Sequence, residues 1–330
     1  MAVVGAGSWG TTLAHHLAGR GCAVRLWAYE AEVVASIASS RENALFLPGV
    51  RLHEGVAPTG DFAAAFEGAG LALFVTPSHV ARATLRSACA VIPAGVPIVV
   101  ASKGIETDTL RTMAEVFTEE LAAIGGRPFA CLSGPSFARE VAAGLPTAIT
   151  AASADPATAR LVQELFSTDA FRVYTTDDVT GVEIGGSLKN VVAIAAGICD
   201  GLGLGHNARS ALITRGLAEM SRLGAALGAR PATLAGLAGL GDLVLTCTGD
   251  LSRNRTLGIE LARGRTLEEI TSGRRTVAEG VRTADAAVRL ARRHGVEMPI
   301  AQQTWRVLYE DLPPRTALHE LMTRDLKDEE

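Results

Sequence analysis

The chain of 330 residues contains 31 lysines and arginines, of which only Lys103, Lys189 and Lys327 are lysines. Lys327 lies in a charged tail, whereas Lys103 and Lys189 lie in apolar, glycine-rich sequence. Arginine stays protonated, but a desolvated lysine ammonium approaches neutrality and can give or take a proton. The presence of lysine at these two positions therefore indicates acid/base chemistry.

Lys189 lies in a predicted helix of small and apolar residues at 181–197. Positions three and four residues away share its helical face, and they carry only glycine, valine and alanine. We therefore expect a desolvated ammonium without a counter-ion on that face, with a lowered pKa. The alternative is a lysine that extends from a helix end into water.

A glycine-rich loop, GAGSWG at residues 5–10, follows a short buried strand and precedes a helical pattern. In this setting Gly5 permits the tight turn, Gly7 lets a pyrophosphate approach the backbone, and Gly10 lets helix and strand pack closely. The helix N-terminus adds amide donors. The pattern predicts a dinucleotide site, and the alternative is a glycine-rich turn that binds nothing.

The second predicted strand ends near Tyr29 and Glu30, about twenty residues past the loop, where such folds recognise the adenosine ribose. The Glu30 carboxylate would accept from a ribose 2′-hydroxyl and would oppose a 2′-phosphate. This favours NAD over NADP. The alternative is that Glu30 is a solvated acid at a helix start.

Short apolar runs alternate with helical patterns up to about residue 180, and the later pattern is helical. We predict an α/β protein with an N-terminal Rossmann-type doubly wound parallel sheet, followed by an all-α C-terminal domain. The expected domains are a dinucleotide-binding domain at 1–180 and a helical substrate and catalytic domain at 181–330.

Ligands of doubly wound sheets bind at the carboxyl ends of the strands, where Lys103, His79 and the segment 133–138 are expected. His79 is a candidate base, although a histidine just after a strand more often caps a helix or packs.

In the second domain, Ser252 has the character of a helix N-cap, with Arg253 and Asn254 in the first turn. Amides, a hydroxyl and a guanidinium at one helix start make a phosphate or oxyanion receptor. The alternative is a helix start with solvated arginines. Cys247 is an alternative thiol nucleophile, but no histidine or lysine flanks it, which favours core packing.

Composition excludes several classes of function. The formal net charge of −4 and the lack of long basic runs argue against a nucleic-acid partner. No uninterrupted apolar run is long enough to cross a bilayer, so we expect a cytoplasmic protein without a membrane span. The five cysteines are scattered without C-x-x-C spacing, which indicates neither a disulfide framework nor a metal site.

Seven motifs are spaced along nearly the whole chain: GAGSWG at 5–10, SKG at 102–104, SGPSFARE at 133–140, GGSLKNV at 185–191, AGLGDL at 238–243, SRNR at 252–255 and VAEG at 277–280. Together they resemble the bacterial soluble NAD(P)-dependent glycerol-3-phosphate dehydrogenase family. The resemblance implies reversible reduction of dihydroxyacetone phosphate to sn-glycerol 3-phosphate, for glycerophospholipid synthesis, with NAD or NADP as cofactor.

The resemblance also implies two overlapping sets of site residues. Besides the loop glycines, those at the dinucleotide are Ser8, Trp9, Tyr29, Lys103, Ala138, Arg253, Val277 and Glu279. Those at the substrate are Lys103, Gly134, Ser136, Lys189, Asp242, Ser252, Arg253 and Asn254. Lys189 matches the family's catalytic acid/base. Lys103 is expected to polarise the carbonyl, and Asp242 to orient one of the ammonium groups. Tyr29 stands where the family usually has arginine or histidine, which argues against a preference for NADP.

Two rival functions remain. A β-hydroxyacid dehydrogenase of related build would need a carboxylate receptor instead of a phosphate receptor. A non-catalytic dinucleotide-sensing protein is a different class, and the two retained lysines argue against it. The expected partner is a small-molecule substrate. A homodimer is compatible with the resemblance, but the sequence leaves the oligomeric state and feedback inhibition open.

Overall fold

The computed structural model describes residues 1–272, 278–326 and 328–329. The chain divides into two compact units. The first comprises Met1–Glu106 and Arg111–Glu183, and the second comprises Thr107–Leu110 and Ile184–Glu330. The first unit contains the β-sheet, and the regular structure described in the second unit is helical.

The strands of the first unit are short and form one eight-stranded sheet in the order β3-β2-β1-β4-β5-β6-β7-β8. Their bounds are β1 Ala2–Val4, β2 Val24–Trp27, β3 Val56–Thr59, β4 Ala72–Phe74, β5 Ile98–Val100, β6 Phe129–Ser133, β7 Thr147–Ala152 and β8 Phe171–Thr176. Neighbouring strands are parallel except for the β6–β7 pair. In β1, β4 and β5 every residue is buried, as expected for strands covered on both faces.

The helices of the first unit pack on this sheet. Their bounds are α1 Ser8–Gly19, α2 Ala31–Ser40, α3 Phe62–Phe66, α4 Ser78–Ala88, α5 Met113–Ala122, α6 Ala138–Ala142 and α7 Pro156–Phe166, with a 3₁₀ turn at Cys89–Val91. Two apolar clusters form the core. One includes Leu13, Leu17 and Phe166, and the other includes Phe74 and Phe117.

The position of β1 marks the place where the strand order of this sheet reverses. It pairs with β2 on one side and with β4 on the other, so the chain order of the strands reverses beside it. Open α/β sheets bind ligands at such a reversal, outside the carboxyl ends of the strands. The loop after β1 is the glycine-rich loop at residues 5–10.

The helices of the second unit begin with α8, Val179–Gly201, whose first turn belongs to the first unit. The others are α9 Gly205–Ala226, α10 Pro231–Leu234, a π-helical turn at Leu237–Gly241, α11 Asp242–Thr248, α12 Arg253–Ala262, α13 Leu267–Thr271, α14 Glu279–Arg293, α15 Pro299–Tyr309 and α16 Pro314–Met322. Helix α8 lies so close to α12 that a Cβ on Gly197 would be 2.0 Å from the Arg255 carbonyl oxygen.

The predicted fold class is confirmed: a Rossmann-type sheet is followed by helices alone in the described residues. Two details differ. The sheet, predicted as parallel, is antiparallel at the β6–β7 pair. Sequence patterns also missed β3, because this edge strand contains Pro58 and buries only Val56, so it lacks the apolar run that marks a covered strand.

Two helical segments of the described chain are long and apolar enough to span a membrane by length and composition alone, Val179–Gly201 and Pro231–Thr248. Neither is an uninterrupted apolar run, because Lys189 and Asp242 lie within them. In the first, 89% of the most apolar 18-residue stretch is buried within the protein. Since an apolar core helix passes the same test, these segments are weak evidence for a membrane span.

Candidate active site

The glycine-rich loop has the geometry that a dinucleotide requires. Gly5 has a φ of +112°, and a Cβ there would lie 2.7 Å from the Val75 carbonyl oxygen. A Cβ on Gly10 would lie 1.9 Å from the Gly5 carbonyl oxygen, so α1 starts directly against the turn. A Cβ on Gly7 would meet nothing within 4 Å. Space is therefore open where a pyrophosphate would approach the N-terminus of α1.

A buried hydroxyl beside the loop also fits a polar ligand. Thr76 follows β4, and its backbone nitrogen lies 3.1 Å from the position of a Cβ on Gly5. Its Oγ1 is buried and has no hydrogen-bond partner among the described residues. Buried polar atoms nearly always have a partner, so this one fits a site that a ligand completes.

Tyr29 and Glu30 follow β2, the parallel neighbour of β1, and so lie at the same edge of the sheet. The Tyr29 side chain is 84% exposed. Glu30 immediately precedes α2 but makes no side-chain cap hydrogen bond to it. Tyr29 thus offers an accessible ring at the predicted adenosine end. His79, the other candidate at this edge, is the second residue of α4 and is exposed.

Lys103 and Ser136 share a hydrogen-bond acceptor, the carbonyl oxygen of Gly134, in the first unit. Lys103 Nζ donates to the Gly134 carbonyl oxygen at 3.2 Å, and Ser136 Oγ donates to the same oxygen at 3.0 Å. Ala138 begins α6, and its carbonyl oxygen accepts from Thr12 Oγ1 on α1 at 3.1 Å. The segments after β5 and β6 are therefore linked, and α6 is tied to the helix that follows the glycine-rich loop.

Lys189 lies in a buried polar cluster of the second unit. Its Nζ donates to Asp242 Oδ1 at 2.5 Å and to Thr246 Oγ1 at 2.9 Å. The side chains of Lys189 and Asp242 are 9% and 1% exposed. Asp242 and Thr246 are four residues apart on α11, so they face Lys189 together.

The expectation that Lys189 lacks a counter-ion is wrong. Helical spacing describes only the face of α8, whereas the carboxylate comes from α11. A carboxylate at this distance favours the charged ammonium and opposes the effect of burial. The predicted role of Asp242 in orienting an ammonium group is consistent with this contact.

The predicted phosphate receptor is a well-formed helix start. Ser252 Oγ accepts from the Arg255 backbone nitrogen at 3.2 Å, which confirms Ser252 as the N-cap of α12. Asn254 Nδ2 donates to Asn190 Oδ1 at 2.9 Å, and its Oδ1 accepts from the Gly280 backbone nitrogen at 3.0 Å. Because Asn190 follows Lys189 on α8, this amide joins the start of α12 to the lysine helix.

Arg253 and Glu279 lie in the second unit near the same helix start. Arg253 is exposed, although its surroundings desolvate the guanidinium enough to lower its pKa, an effect that Glu279 opposes. This lowering of the pKa does not change the charge of Arg253, because an arginine in a protein stays protonated. The exposure of its side chain therefore matters more for ligand binding than the shift in pKa. Glu279 is the first residue of α14. Val277 lies outside the described residues.

Cys247 is fully buried, and burial raises the pKa of its thiol to about 12. A thiol of that kind is inert, so the structure argues against Cys247 as a nucleophile. The five cysteines form no disulfide. No group of three or more potential metal-ligating side chains occurs in the described ranges.

Sequence patterns did not single out Thr246 and Asn190, which lie in these clusters, or Asn43, which contacts the glycine-rich loop. Thr246 follows Asp242 by one helical turn, a spacing that sequence alone displays. Asn190 has no signal beyond its position beside Lys189. Asn43 donates to the Ala6 carbonyl oxygen at 2.8 Å from 37 residues away, and no local pattern predicts such a contact.

Comparisons with known proteins agree with this architecture. The family model described as NAD-dependent glycerol-3-phosphate dehydrogenase N-terminus matches residues 1–159, and the C-terminus model matches residues 178–319. The glycerol-3-phosphate dehydrogenase (NAD(P)+) of Geobacter sp. (strain M21) is 58% identical over 329 residues, covering 100% of this chain and 98% of that protein. That of Geobacter metallireducens is 60% identical over 99% of this chain and 98% of its own length.

A crystal structure of glycerol-3-phosphate dehydrogenase from Coxiella burnetii has the same fold. It superposes with a TM-score of 0.93 at 43% sequence identity, covering 97% of this chain and 98% of that one. Together with the two family models, this full-length likeness settles the classification. The chain belongs to the NAD-dependent glycerol-3-phosphate dehydrogenase family.

Proposed function

We propose that this protein is an NAD(P)-dependent oxidoreductase that reversibly reduces dihydroxyacetone phosphate to sn-glycerol 3-phosphate. The observation that carries the proposal is the buried cluster of Lys189, Asp242 and Thr246, in a chain whose other unit contains the dinucleotide loop. The product of this reaction, sn-glycerol 3-phosphate, is the backbone of glycerophospholipids, so we infer a role in their synthesis. We also infer a cytoplasmic location. Residues 1–180 would form the dinucleotide-binding domain and residues 181–330 the substrate and catalytic domain, and each domain would also supply contacts to the other ligand.

The glycine-rich loop at 5–10 fits the cofactor pyrophosphate, with Ser8 and Trp9 opening α1 beside it. Tyr29 is accessible for the adenosine end, and Ala138 is held against α1 by Thr12. Arg253, Val277 and Glu279 are carried over as cofactor contacts from the family resemblance. When bound, a reduced nicotinamide supplies a hydride to the carbonyl carbon of the substrate.

Lys189 is the proposed proton donor. As the carbonyl becomes an alcohol, its oxygen takes one proton from Lys189 Nζ, and the reverse reaction returns it. Asp242 and Thr246 hold that nitrogen by hydrogen bonds of 2.5 and 2.9 Å, so the donor is fixed in direction before substrate binds. General acid/base catalysis of this kind contributes roughly a hundred- to ten-thousand-fold.

Lys103 would supply positive charge to the developing alkoxide, as an electrostatic group. Its ammonium is oriented by the Gly134 carbonyl oxygen, which Ser136 also contacts. Lys103, Gly134 and Ser136 are therefore proposed as substrate-contacting residues of the first unit.

The start of α12 is the proposed phosphate receptor. Ser252 Oγ already caps the Arg255 nitrogen, so the backbone amides of Arg253 and Asn254 and the exposed Arg253 guanidinium are the groups offered to a phosphate. Charge-assisted hydrogen bonds to a dianion are stronger than neutral ones. This receptor would select the phosphorylated triose.

An assay of NADH oxidation tests the proposal. We expect oxidation with dihydroxyacetone phosphate and a kcat/KM at least about tenfold lower with dihydroxyacetone or a β-keto acid, because a lost charged contact exceeds about 1.4 kcal/mol. Comparable turnover of the β-keto acid would favour the β-hydroxyacid dehydrogenase reading. If the protein binds NADH but none of these substrates causes its oxidation, a dinucleotide sensor would be favoured.

A further inference from the structure

A fully buried asparagine outside the predicted site contacts the glycine-rich loop. Asn43 follows α2 and is 0% exposed. Its Nδ2 donates to the Ala6 carbonyl oxygen at 2.8 Å and to Thr11 Oγ1 at 2.8 Å. Thr11 Oγ1 in turn donates to the Ala6 oxygen at 3.1 Å. Two side chains therefore hold one carbonyl in the middle of the loop.

The segment that carries Asn43 is itself anchored. Asn43 Oδ1 accepts from the Phe46 nitrogen at 3.0 Å, and its carbonyl oxygen accepts from the Leu47 nitrogen at 2.9 Å. Leu47 is 0% exposed and packs in the same apolar cluster as Ala6. The Asn43 amide is thus held in place by its own segment, so it can hold the Ala6 carbonyl in a fixed position.

The contacts require the chemistry of asparagine. The amide nitrogen has two hydrogens for two acceptors, and the amide oxygen accepts a backbone N–H. An ionised aspartate has no donor and would face the Ala6 oxygen with a second acceptor. Buried acceptors that lose their donor are costly, so neither aspartate nor an apolar residue replaces this group.

The Ala6 oxygen and the Gly7 N–H belong to the same peptide, and the chain contains no cis peptide bond in its described parts. In a planar trans peptide, C=O and N–H point in opposite directions. Holding the Ala6 oxygen toward Asn43 therefore directs the Gly7 N–H away from it. Of the loop glycines Gly5, Gly7 and Gly10, Gly7 is the one whose Cβ position has no atom within 4 Å.

We propose that Asn43 is a positioning residue for dinucleotide binding: by holding the Ala6 carbonyl, it aims the Gly7 N–H at the cofactor pyrophosphate. The inference rests on the proposed function, because it requires a dinucleotide at this loop. Asn43 acts through Ala6 and touches no reacting atom. It therefore controls cofactor affinity more than the rate of the chemical step.

Isothermal titration calorimetry with NADH, without substrate, tests this proposal. Asn43→Ala should raise the Kd for NADH about tenfold to a hundredfold, and Asn43→Asp at least as much, because the peptide that presents the amide is no longer held. Thr11→Val keeps the side-chain volume and removes one of the two donors to Ala6, so about a threefold to tenfold rise is expected. At saturating NADH, kcat with dihydroxyacetone phosphate should stay within about threefold of wild type.

Ser153→Ala is the matched control. Ser153 is 1% exposed in the same unit, and its Oγ donates to the Phe129 carbonyl oxygen at 2.6 Å and accepts from the Asp155 nitrogen at 3.1 Å. This variant also loses a buried hydrogen-bonding group, but outside the glycine-rich loop. Its Kd for NADH should stay within about twofold of wild type.

The outcomes separate this inference from the proposed function. If wild type binds NADH while the Asn43 and Thr11 variants match Ser153→Ala in Kd, the positioning role is overturned and the proposed function stands. If wild type binds neither NADH nor NADPH, both fail. If Asn43→Ala does not fold, the Thr11→Val variant alone tests the positioning role. An unchanged Kd for NADH in that variant would show that hydrogen bonds to the Ala6 carbonyl do not govern binding.

Discussion

Lys189 and Asp242 form a buried ion pair, and such a pair is a poor way to gain stability. Desolvation of the two charges offsets much of their attraction, and apolar residues of similar size often serve the fold as well. Their burial at 9% and 1% exposure is better explained by chemistry. The proposed proton donor needs a partner that holds its nitrogen, and Asp242 and Thr246 are placed to do so by hydrogen bonds.

Arg253→Ala tests the phosphate receptor. Losing a charged partner of a phosphate costs roughly 2 to 5 kcal/mol, so kcat/KM for dihydroxyacetone phosphate should fall by about one and a half to four decades. Activity on unphosphorylated dihydroxyacetone, already poor, should change much less, because that substrate never used the site. Steady-state kinetics with both trioses, together with the KM for NADH, measure the effect.

Arg263→Ala is the control for this prediction, because Arg263 lies at the other end of α12 with a side chain that is 65% exposed. It should leave both activities near those of wild type. Equal losses on the two trioses in Arg253→Ala would mean that Arg253 serves the dinucleotide or the fold, and the phosphate would have to be placed elsewhere.

At the scale of elements, α8 and α12 are held at a short distance by glycine. A Cβ on Gly197 would lie 2.0 Å from the Arg255 carbonyl oxygen, and one on Gly258 would lie 2.1 Å from the Ile194 carbonyl oxygen. These contacts involve backbone atoms that cannot rotate aside. The spacing between Lys189 and the start of α12 therefore depends on the absence of side chains at the crossing.

Gly197→Ala should destabilise the protein and weaken catalysis together. Overpacking costs about 1 to 3 kcal/mol, and separating α8 from α12 by about an ångström should lower kcat/KM about tenfold or more. Gly19→Ala, in α1, meets nothing within 4 Å and should stay within about 0.5 kcal/mol of wild type. Chemical denaturation and kinetics of both variants measure this; equal stability of the two would contradict the packing account.

Glu219 on α9 caps another helix and should make stability depend on pH. Its Oε1 and Oε2 accept from the Ile300 and Ala301 nitrogens at 2.6 and 3.1 Å. Burial raises the pKa of Glu219 from 4.5 to about 7, against the opposing effect of these two amides. Between these two pKa values the folded state binds more protons than the unfolded state. The contribution of Glu219 to the free energy of unfolding is therefore fully present below pH 4.5 and is lost as the pH rises through 7.

Glu219→Gln should remove this contribution, roughly 3 kcal/mol over that window, and flatten the fall in the free energy of unfolding between pH 5 and 7. Glu320→Gln is the control, because hydrogen bonds from Gln303 and Arg306 lower the pKa of Glu320 and take it out of this range. Urea denaturation at several pH values measures both. Parallel pH profiles for wild type and Glu219→Gln would refute the assignment.

Sequence patterns predicted elements better than the contacts between them. The small-residue helix around Lys189, the glycine-rich loop and the N-cap at Ser252 all follow from local spacing, and the structure contains each of them. The Asp242 carboxylate beside Lys189 and the Asn43 amide beside Ala6 come from 53 and 37 residues away. Such contacts depend on how helices pack, which residue spacing within one element does not determine.

For the molecule as a whole, we predict the choice of cofactor from Tyr29 and Glu30 at the end of β2. Tyr29 is 84% exposed, and Glu30 follows it with a carboxylate that would repel a 2′-phosphate. We expect NADH to serve at least as well as NADPH. Comparison of kcat/KM for the two cofactors, at fixed dihydroxyacetone phosphate, measures this. A preference for NADPH of about tenfold or more, or about 1.4 kcal/mol, would show that another positive group binds the phosphate.

The proposed reaction requires Lys189 as the proton donor, and Lys189→Arg tests this role most directly. The substitution keeps the positive charge but removes a group that can release a proton near neutral pH. Lys327→Arg, in the charged tail of the sequence, is the matched control and should behave as wild type.

The decisive measurement is the turnover number for dihydroxyacetone phosphate with saturating NADH, alongside the Kd for NADH of each variant. We predict that Lys189→Arg loses at least about a hundredfold in kcat while it binds NADH within about twofold of wild type. A Lys189→Arg enzyme that retains about a tenth of wild-type turnover would contradict the proposed role of Lys189, since general acid catalysis is worth more than that.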